Sequence, residues 1–162
     1  MTLVDWLDRA DRGLGAVLAG RQIPAARGAA AQACLGLLLR GLEAGACASE
    51  SFHRRHVRGA RARFLFRTED RALASHLVLD GAELRAGVGD DGRPDDAEWD
   101  VVVVFRDASS ISRLLLSGSP DVVLALVRRQ LRVRGNLALL YKLGFMLFDL
   151  GGRLGLRPGG AP

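Results

Sequence analysis

His53 and His56 stand three residues apart, a spacing that can place two imidazoles on one helical face, where together they could hold a transition metal. Arg54, Arg55 and Arg58 surround them, so the local field repels a cation, and no neighbouring cysteine or carboxylate completes a ligand set. No metal is expected there. The acidic stretch Asp90, Asp91, Asp95, Asp96 and Glu98 suggests calcium, but Arg93 and Pro94 interrupt it and the spacing fails the EF-hand pattern, which leaves a solvated loop. Ser109, Ser110, Ser112 and Ser117 lack the strand-turn-helix setting of a nucleophile elbow, and His76 falls in a strand-like run without an acidic orienter. With no nucleophile, metal set or phosphate loop assembled, the expectation is a non-catalytic protein without a cofactor.

Arg54, Arg55, Arg58, Arg61, Arg63 and Arg67 contribute to a formal net charge of +5. Such a run favours anionic lipid surfaces or nucleic acid. Phe64 and Phe66 alternate with the arginines and so point to the opposite face, which removes the stacking platform that single-stranded nucleic acid needs. Nucleic acid is not expected. The remaining readings are peripheral contact with an anionic membrane or a partner protein, through the N-terminal helices and the Arg54 to Arg67 stretch, or a solvated face pairing with Asp8, Asp11 or Glu43.

The elements that carry these residues follow from periodicity. A chain of 162 residues fits one compact domain with an appendage. Leu3, Leu7, Ala10, Leu14 and Val17 recur at helical spacing; Arg21 to Pro24 breaks the pattern, and a second helix from Ala25 to about Glu43 places Ala31, Leu35, Leu38 and Leu42 on one stripe. Residues 1–52 therefore read as an N-terminal helical hairpin, and the main domain is expected over 53–150. There the period becomes alternating. Ala62, Phe64 and Phe66 mark one strand, Leu73 to Leu79 the next, and Ala82, Leu84, Ala86 and Val88 a third. After the loop from Gly89 to Glu98, Trp99 to Phe105 is apolar on both faces and is expected to be central. The helices that follow it can serve one face, so the hairpin is the expected cover for the other.

Asp107 and Ser109 offer N-caps to a helix bearing Ile111, Leu114 and Leu115 that Gly118 ends, and Ser119-Pro120-Asp121 opens another. Leu131 to Arg134 forms a last strand, Gly135-Asn136 turns and caps, Leu137 to Leu150 makes the final helix, and residues 151–162 form a flexible tail. The fold class is α+β: a five-stranded, mostly antiparallel sheet covered by helices. Cys34 and Cys47 are expected to be reduced and structural. Asp5, Asp8 and Asp11 interrupt the first apolar stretch, so no leader is expected. Leu137 to Leu150 carries Lys142 and Asp149 and is shorter than the roughly 20 residues that span a bilayer. A cytoplasmic protein with peripheral membrane contact is the expectation.

Asp100-Val-Val-Val-Val-Phe-Arg-Asp107, Leu114-Leu-Leu-Ser-Gly118, Ala125-Leu-Val127 and Leu131-Arg-Val-Arg-Gly-Asn136 leading to Leu143 keep their order and spacing. In these residues the chain resembles the sterol carrier protein-2 family, over Arg61 to Leu150. Pro120 comes earlier than the family's usual proline, and Leu126 and Val127 replace common aromatics. The resemblance implies an apolar cavity, a tunnel between sheet and C-terminal helix that binds, and transfers, a fatty acyl, sterol-like or isoprenoid lipid. Its implied lining is Phe64, Phe66, Val103, Phe105, Ile111, Leu115, Leu126, Leu140, Leu143 and Leu147. The final helix agrees with this, because Leu137, Leu139, Leu140, Leu143, Phe145, Met146, Leu147 and Phe148 make it apolar nearly all round and two of its sides need burial. Ordinary core packing is the plain alternative use of the same side chains. The helical extension also resembles the layout of accessory proteins of bacterial ubiquinone biosynthesis, which hold a quinone precursor for enzymes.

Overall fold

The computed structural model describes residues 24–93, 95–116 and 128–154, with the side chains of 24–27, 113, 115 and 116 left aside. The first arm of the expected hairpin, the stop at Gly118, the helix opened by Ser119-Pro120-Asp121 and Leu126 lie outside the described residues.

Helix α1 (Pro24–Ala48) begins on a proline, whose fixed φ suits a first turn, and continues past the expected end at Glu43. It buries Ala31, Leu35, Leu39, Leu42 and Ala46 along one stripe; Leu39, not Leu38, takes the deep position. Gln32 Nε2 fixes its register on the sheet by donating to Ala74 O at 2.9 Å and Ser75 Oγ at 2.7 Å. Ser49 then caps a short second helix, α2 (Glu50–His56), its Oγ accepting from Phe52 N at 3.3 Å. The arginine-dense boundary stretch is thus partly helical, and Phe52, His56 and Val57 are buried on its inner side.

Five strands follow: β1 (Arg61–Thr68), β2 (Ala74–Asp80), β3 (Leu84–Val88), β4 (Val101–Phe105) and β5 (Leu131–Gly135). They form one sheet ordered β3-β2-β1-β4-β5, antiparallel at every pairing except β1 with β4. β4 is interior, as its five buried residues require, but the middle of the sheet belongs to β1. Helix α3 (Ala108–Leu116) and helix α4 (Leu137–Arg153) complete the described residues.

Alternation sends the two sides of the strands into two separate interiors. Ala62, Phe64 and Phe66 of β1 join Leu77 and Leu79 of β2, Val101, Val103 and Phe105 of β4, and the buried stripe of α1, with Ile111, Leu143 and Met146. Leu65, Val102 and Val104 face the other way, together with Trp99. The expectation that the hairpin covers this second face fails for its described arm, because α1 packs on the same side as α3 and α4. Among the described residues no helix joins this second cluster, and the loop returning from β3 to β4 contributes Trp99 to it. Trp99 lies against it, donating through Nε1 to Arg93 O at 3.0 Å, and Asp96 holds the loop down by accepting from Arg67 Nη2 at 2.7 Å and Arg134 Nη1 at 2.9 Å.

Local signals set the element ends. Asp107 Oδ1 accepts from Ser110 N at 2.7 Å and so caps α3. Gly135 takes φ +95°, and a Cβ there would sit 2.1 Å from Asp100 O. Asn136 Oδ1 accepts from Ala138 N at 2.9 Å to cap α4.

Leu39→Ala is expected to cost about 2–5 kcal/mol if α1 is part of the core, as its burial at 2% exposure indicates. Denaturant unfolding that is unchanged would detach α1 from the domain. In the same assay Asn136→Ala should cost about 1 kcal/mol, and Gly135→Ala about 1–3 kcal/mol from the dihedral alone, with the backbone clash in addition. Equal effects from the two would mean that the turn relaxes freely.

Candidate functional site

Helix α4 is the element with an unused surface. Leu143 and Met146 are buried on its inner side, and Leu139, Leu140, Leu147 and Leu150 pack half-buried beside them. Gly45 of α1 makes room for Leu150, whose Cδ1 would lie 2.6 Å from an added Cβ. On its outer side Leu137, Tyr141, Phe145 and Phe148 are 52%, 66%, 68% and 71% exposed. Among the described residues the helix buries one side: inner and outer residues fall on opposite halves of its circumference, and the described elements pack on one half only.

Of the ten expected lining residues, six share the interior beneath α1, α3 and α4: Phe64, Phe66, Val103, Phe105, Ile111 and Leu143. Leu140 and Leu147 stand half-buried at its margin. Leu115 belongs to α3, with only its backbone described, and Leu126 lies outside the described residues. Phe64 and Phe66 stack within that interior with ring centroids 6.5 Å apart.

A groove of about 780 Å³ opens elsewhere, between α2 and the C-terminal half of α4. Its lining is Arg55, His56, Phe145, Phe148, Asp149, Gly152 and Arg153, none of them among the ten. Asp149 is its polar centre. His56 Nε2 donates to Asp149 Oδ2 at 2.8 Å, Arg153 Nε lies 3.2 Å from Oδ1, and Arg55 Nη1 3.7 Å from Oδ2. The hydrogen bond from His56, with help from Arg153 and against a push from burial, holds the Asp149 carboxyl below the usual aspartate range. Arg153 also donates to Ser49 Oγ and Ser51 Oγ at 2.9 and 2.8 Å and lies 5.6 Å from the centre of the Phe52 ring. These contacts latch the end of α4 to the start of α2.

The histidines thus do separate jobs, since His53 Nε2 donates to Ala82 O at 2.6 Å in the β2–β3 turn. Among the described residues no group of three or more His, Cys, Asp or Glu could hold a metal ion. His76 donates through Nδ1 to Gly89 O at 3.1 Å, and its ring lies 5.9 Å from that of Trp99. The acidic loop is not wholly solvated, because Asp96 is half-buried between Arg67 and Arg134, and the hydrogen bond from Arg67 lowers its carboxyl below the usual range. The basic stretch pairs with other partners than Glu43: Arg55 with Asp149, Arg63 with Asp100 and Arg67 with Asp96. Asp8 and Asp11 lie outside the described residues. Both cysteines are free thiols; burial raises the Cys34 pKa, which keeps it protonated and unreactive.

No family model and no curated protein sequence matches the chain. Solved structures do. The chain has the fold of sterol carrier protein 2 domains: it superposes on sterol carrier protein 2 from Yarrowia lipolytica, apo form, with a TM-score of 0.51 and 13% identity, covering 70% of this chain and 89% of that one. UbiJ-SCP2, a ubiquinone synthesis protein, is similar at TM-score 0.47 and 16% identity over 74% of this chain and 94% of its own. A part of the sec-alkylsulfatase Pisa1 from Pseudomonas sp. is similar at TM-score 0.41 and 18% identity over 67% of this chain; the chain spans 14% of that enzyme's length. No helix among the described residues is long and apolar enough to cross a membrane.

A carboxyl with a lowered folded-state pKa stabilises the fold above the ordinary aspartate range, and that contribution is lost as pH falls through the folded value. Asp149→Asn should therefore lower the unfolding temperature at neutral pH, with a deficit against the parent chain that shrinks on acidification. Thermal unfolding across the acid range checks this, and a deficit independent of pH would remove Asp149 as the latch.

Proposed function

We propose that the protein binds an apolar lipid, of fatty acyl, sterol-like or isoprenoid type, between the helix-covered face of the sheet and α4, and carries it without covalent chemistry. Residues 53–150 are the lipid-binding unit in this reading and residues 1–52 an N-terminal extension, of which α1 covers the sheet. The observation that supports it best is the margin of half-buried apolar side chains of α4, Leu139, Leu140 and Leu147, packed against the interior that holds six of the expected lining residues. A lipid entering there exchanges contacts with α4 for contacts with its own chain. Each methylene moved from water into such a site contributes about 0.8 kcal/mol, so an acyl chain supplies enough driving force with no polar anchor. The sterol carrier protein 2 fold agrees with a carrier role.

Organic extraction of the purified protein should release a lipid, and a fluorescent fatty acid should bind to the delipidated chain. A recovered quinone would turn the same site toward an accessory role in quinone synthesis. Leu140→Asp and Leu147→Asp, both at half-buried positions, are each expected to weaken fatty-acid binding about tenfold or more, since a charge brought into an apolar site loses its solvation. Circular dichroism melts verify folding. No extractable lipid and no fatty-acid binding by the folded parent chain would sink the proposal, and full binding by both variants would move the site away from this margin.

A further inference from the structure

The outer side of α4 is the surface that lipid carriage inside the fold leaves unexplained. Leu137, Tyr141, Phe145 and Phe148 recur at intervals of four, four and three residues, which makes one stripe. At 1.5 Å rise per residue it runs for about 16 Å. All four side chains are more than half exposed, and contiguous exposed apolar area of this kind marks an interaction surface.

Basic side chains outnumber acidic ones on α4 and on α2 beside it. Arg55 and Arg153 share a groove with Phe145 and Phe148. Lys142 lies one turn before Phe145. Arg54 and Arg58 are exposed and form no ion pair among the described residues. The groove's carboxylate, Asp149, is already engaged by His56, Arg55 and Arg153, and the exposed acid of α2, Glu50, lies between Ser49 and Ser51, whose hydroxyls Arg153 binds at the other end of that helix from Arg54 and Arg55.

We propose that this surface docks on an anionic phospholipid bilayer, with the stripe dipping into the interface and Arg54, Arg55, Arg58 and Lys142 meeting the headgroup phosphates. A helix lying in the plane of the interface needs one apolar face and basic flanks, and aromatic side chains suit that depth. α4 is too short to span a bilayer and its inner face stays on the core, so it lies flat. A second copy of the chain is the poorer occupant, because a two-fold contact sets the same positive rim against itself. The inference extends the lipid-carrier reading: docking here brings the half-buried margin of α4 to the membrane, where a lipid can pass without crossing water.

The test is sedimentation of the full chain with vesicles of phosphatidylcholine alone and of phosphatidylcholine with phosphatidylglycerol. Expected are binding to the anionic vesicles, loss of that binding at high salt, and a decrease of about tenfold or more on neutral vesicles or for the double variant Phe145→Ser with Phe148→Ser. The variant should keep the parent unfolding temperature and, in vesicle-free solution, the parent affinity for fatty acid. Full vesicle binding by the variant overturns the proposal, as does equal binding to both vesicle types. A lower unfolding temperature without a change in vesicle binding also overturns it, by showing that residues 1–23 or another segment covers the stripe. Lost fatty-acid affinity would make the stripe part of the ligand site, again overturning it. A chain that takes up no fatty acid yet docks as described defeats the carrier reading and leaves this one standing.

Discussion

Val101 to Phe105 can persist as a strand only where both faces of the sheet are dry and both of its edges are paired, and much of the molecule is arranged to meet that demand. β1 and β5 satisfy its backbone. α1, α3 and α4 cover Val101, Val103 and Phe105. On the other face Val102 and Val104 pack with Leu65 and with Trp99 from the loop before β4. The loop is available because β4 pairs with β1 in parallel: the chain leaving β3 at one edge must cross back over the sheet to start β4 in the same direction as β1. The Arg67–Asp96–Arg134 bridge holds the crossing in place, and the stems of the arginines add apolar cover.

What was legible in the sequence is what short range decides. β1 and β3 announced themselves by alternation and β4 by a run apolar on both faces, and Asp107 and Asn136 cap the helices they were expected to cap because a cap needs only the next turn. Gly135 is needed for its backbone angle and for the approach of Asp100, of which the sequence carried the first signal alone. Strand order was not legible, because β1 finds β4 through contacts such as Arg63 with Asp100, 37 residues apart. The solvated reading of Asp96 failed for the same reason, since its partners Arg67 and Arg134 lie on β1 and β5.

The candidate site divides along the same line. Phe64, Phe66, Val103 and Phe105 share an interior because alternation had already sent them to one face, and Ile111 and Leu143 reach it from the apolar sides of α3 and α4. The groove between α2 and α4 was invisible, since His56 and Asp149 meet across 93 residues. Its one trace was an isolated carboxylate in an apolar helix and a histidine in an arginine run, a combination that gains meaning only once α4 is laid beside α2.

α4 is held differently along its length, and that difference bears on how a lipid could enter. Its start is fixed by the Asn136 cap and by the hydrogen bond from Asn136 N to Asp100 O at 2.9 Å. Its end is fixed by His56, Arg153, Ser49 and Ser51 around Asp149. Between them the contacts are apolar and non-directional, made by Leu139, Leu140, Leu143, Met146 and Leu147. Polar contacts fail abruptly with distance and geometry, whereas apolar contact can be exchanged for other apolar contact at little net cost. In the proposed lipid-binding reading, an entering acyl chain would replace the middle contacts while both anchors hold, because the helix is fastened by polar contacts at its two ends and by exchangeable apolar contact between them.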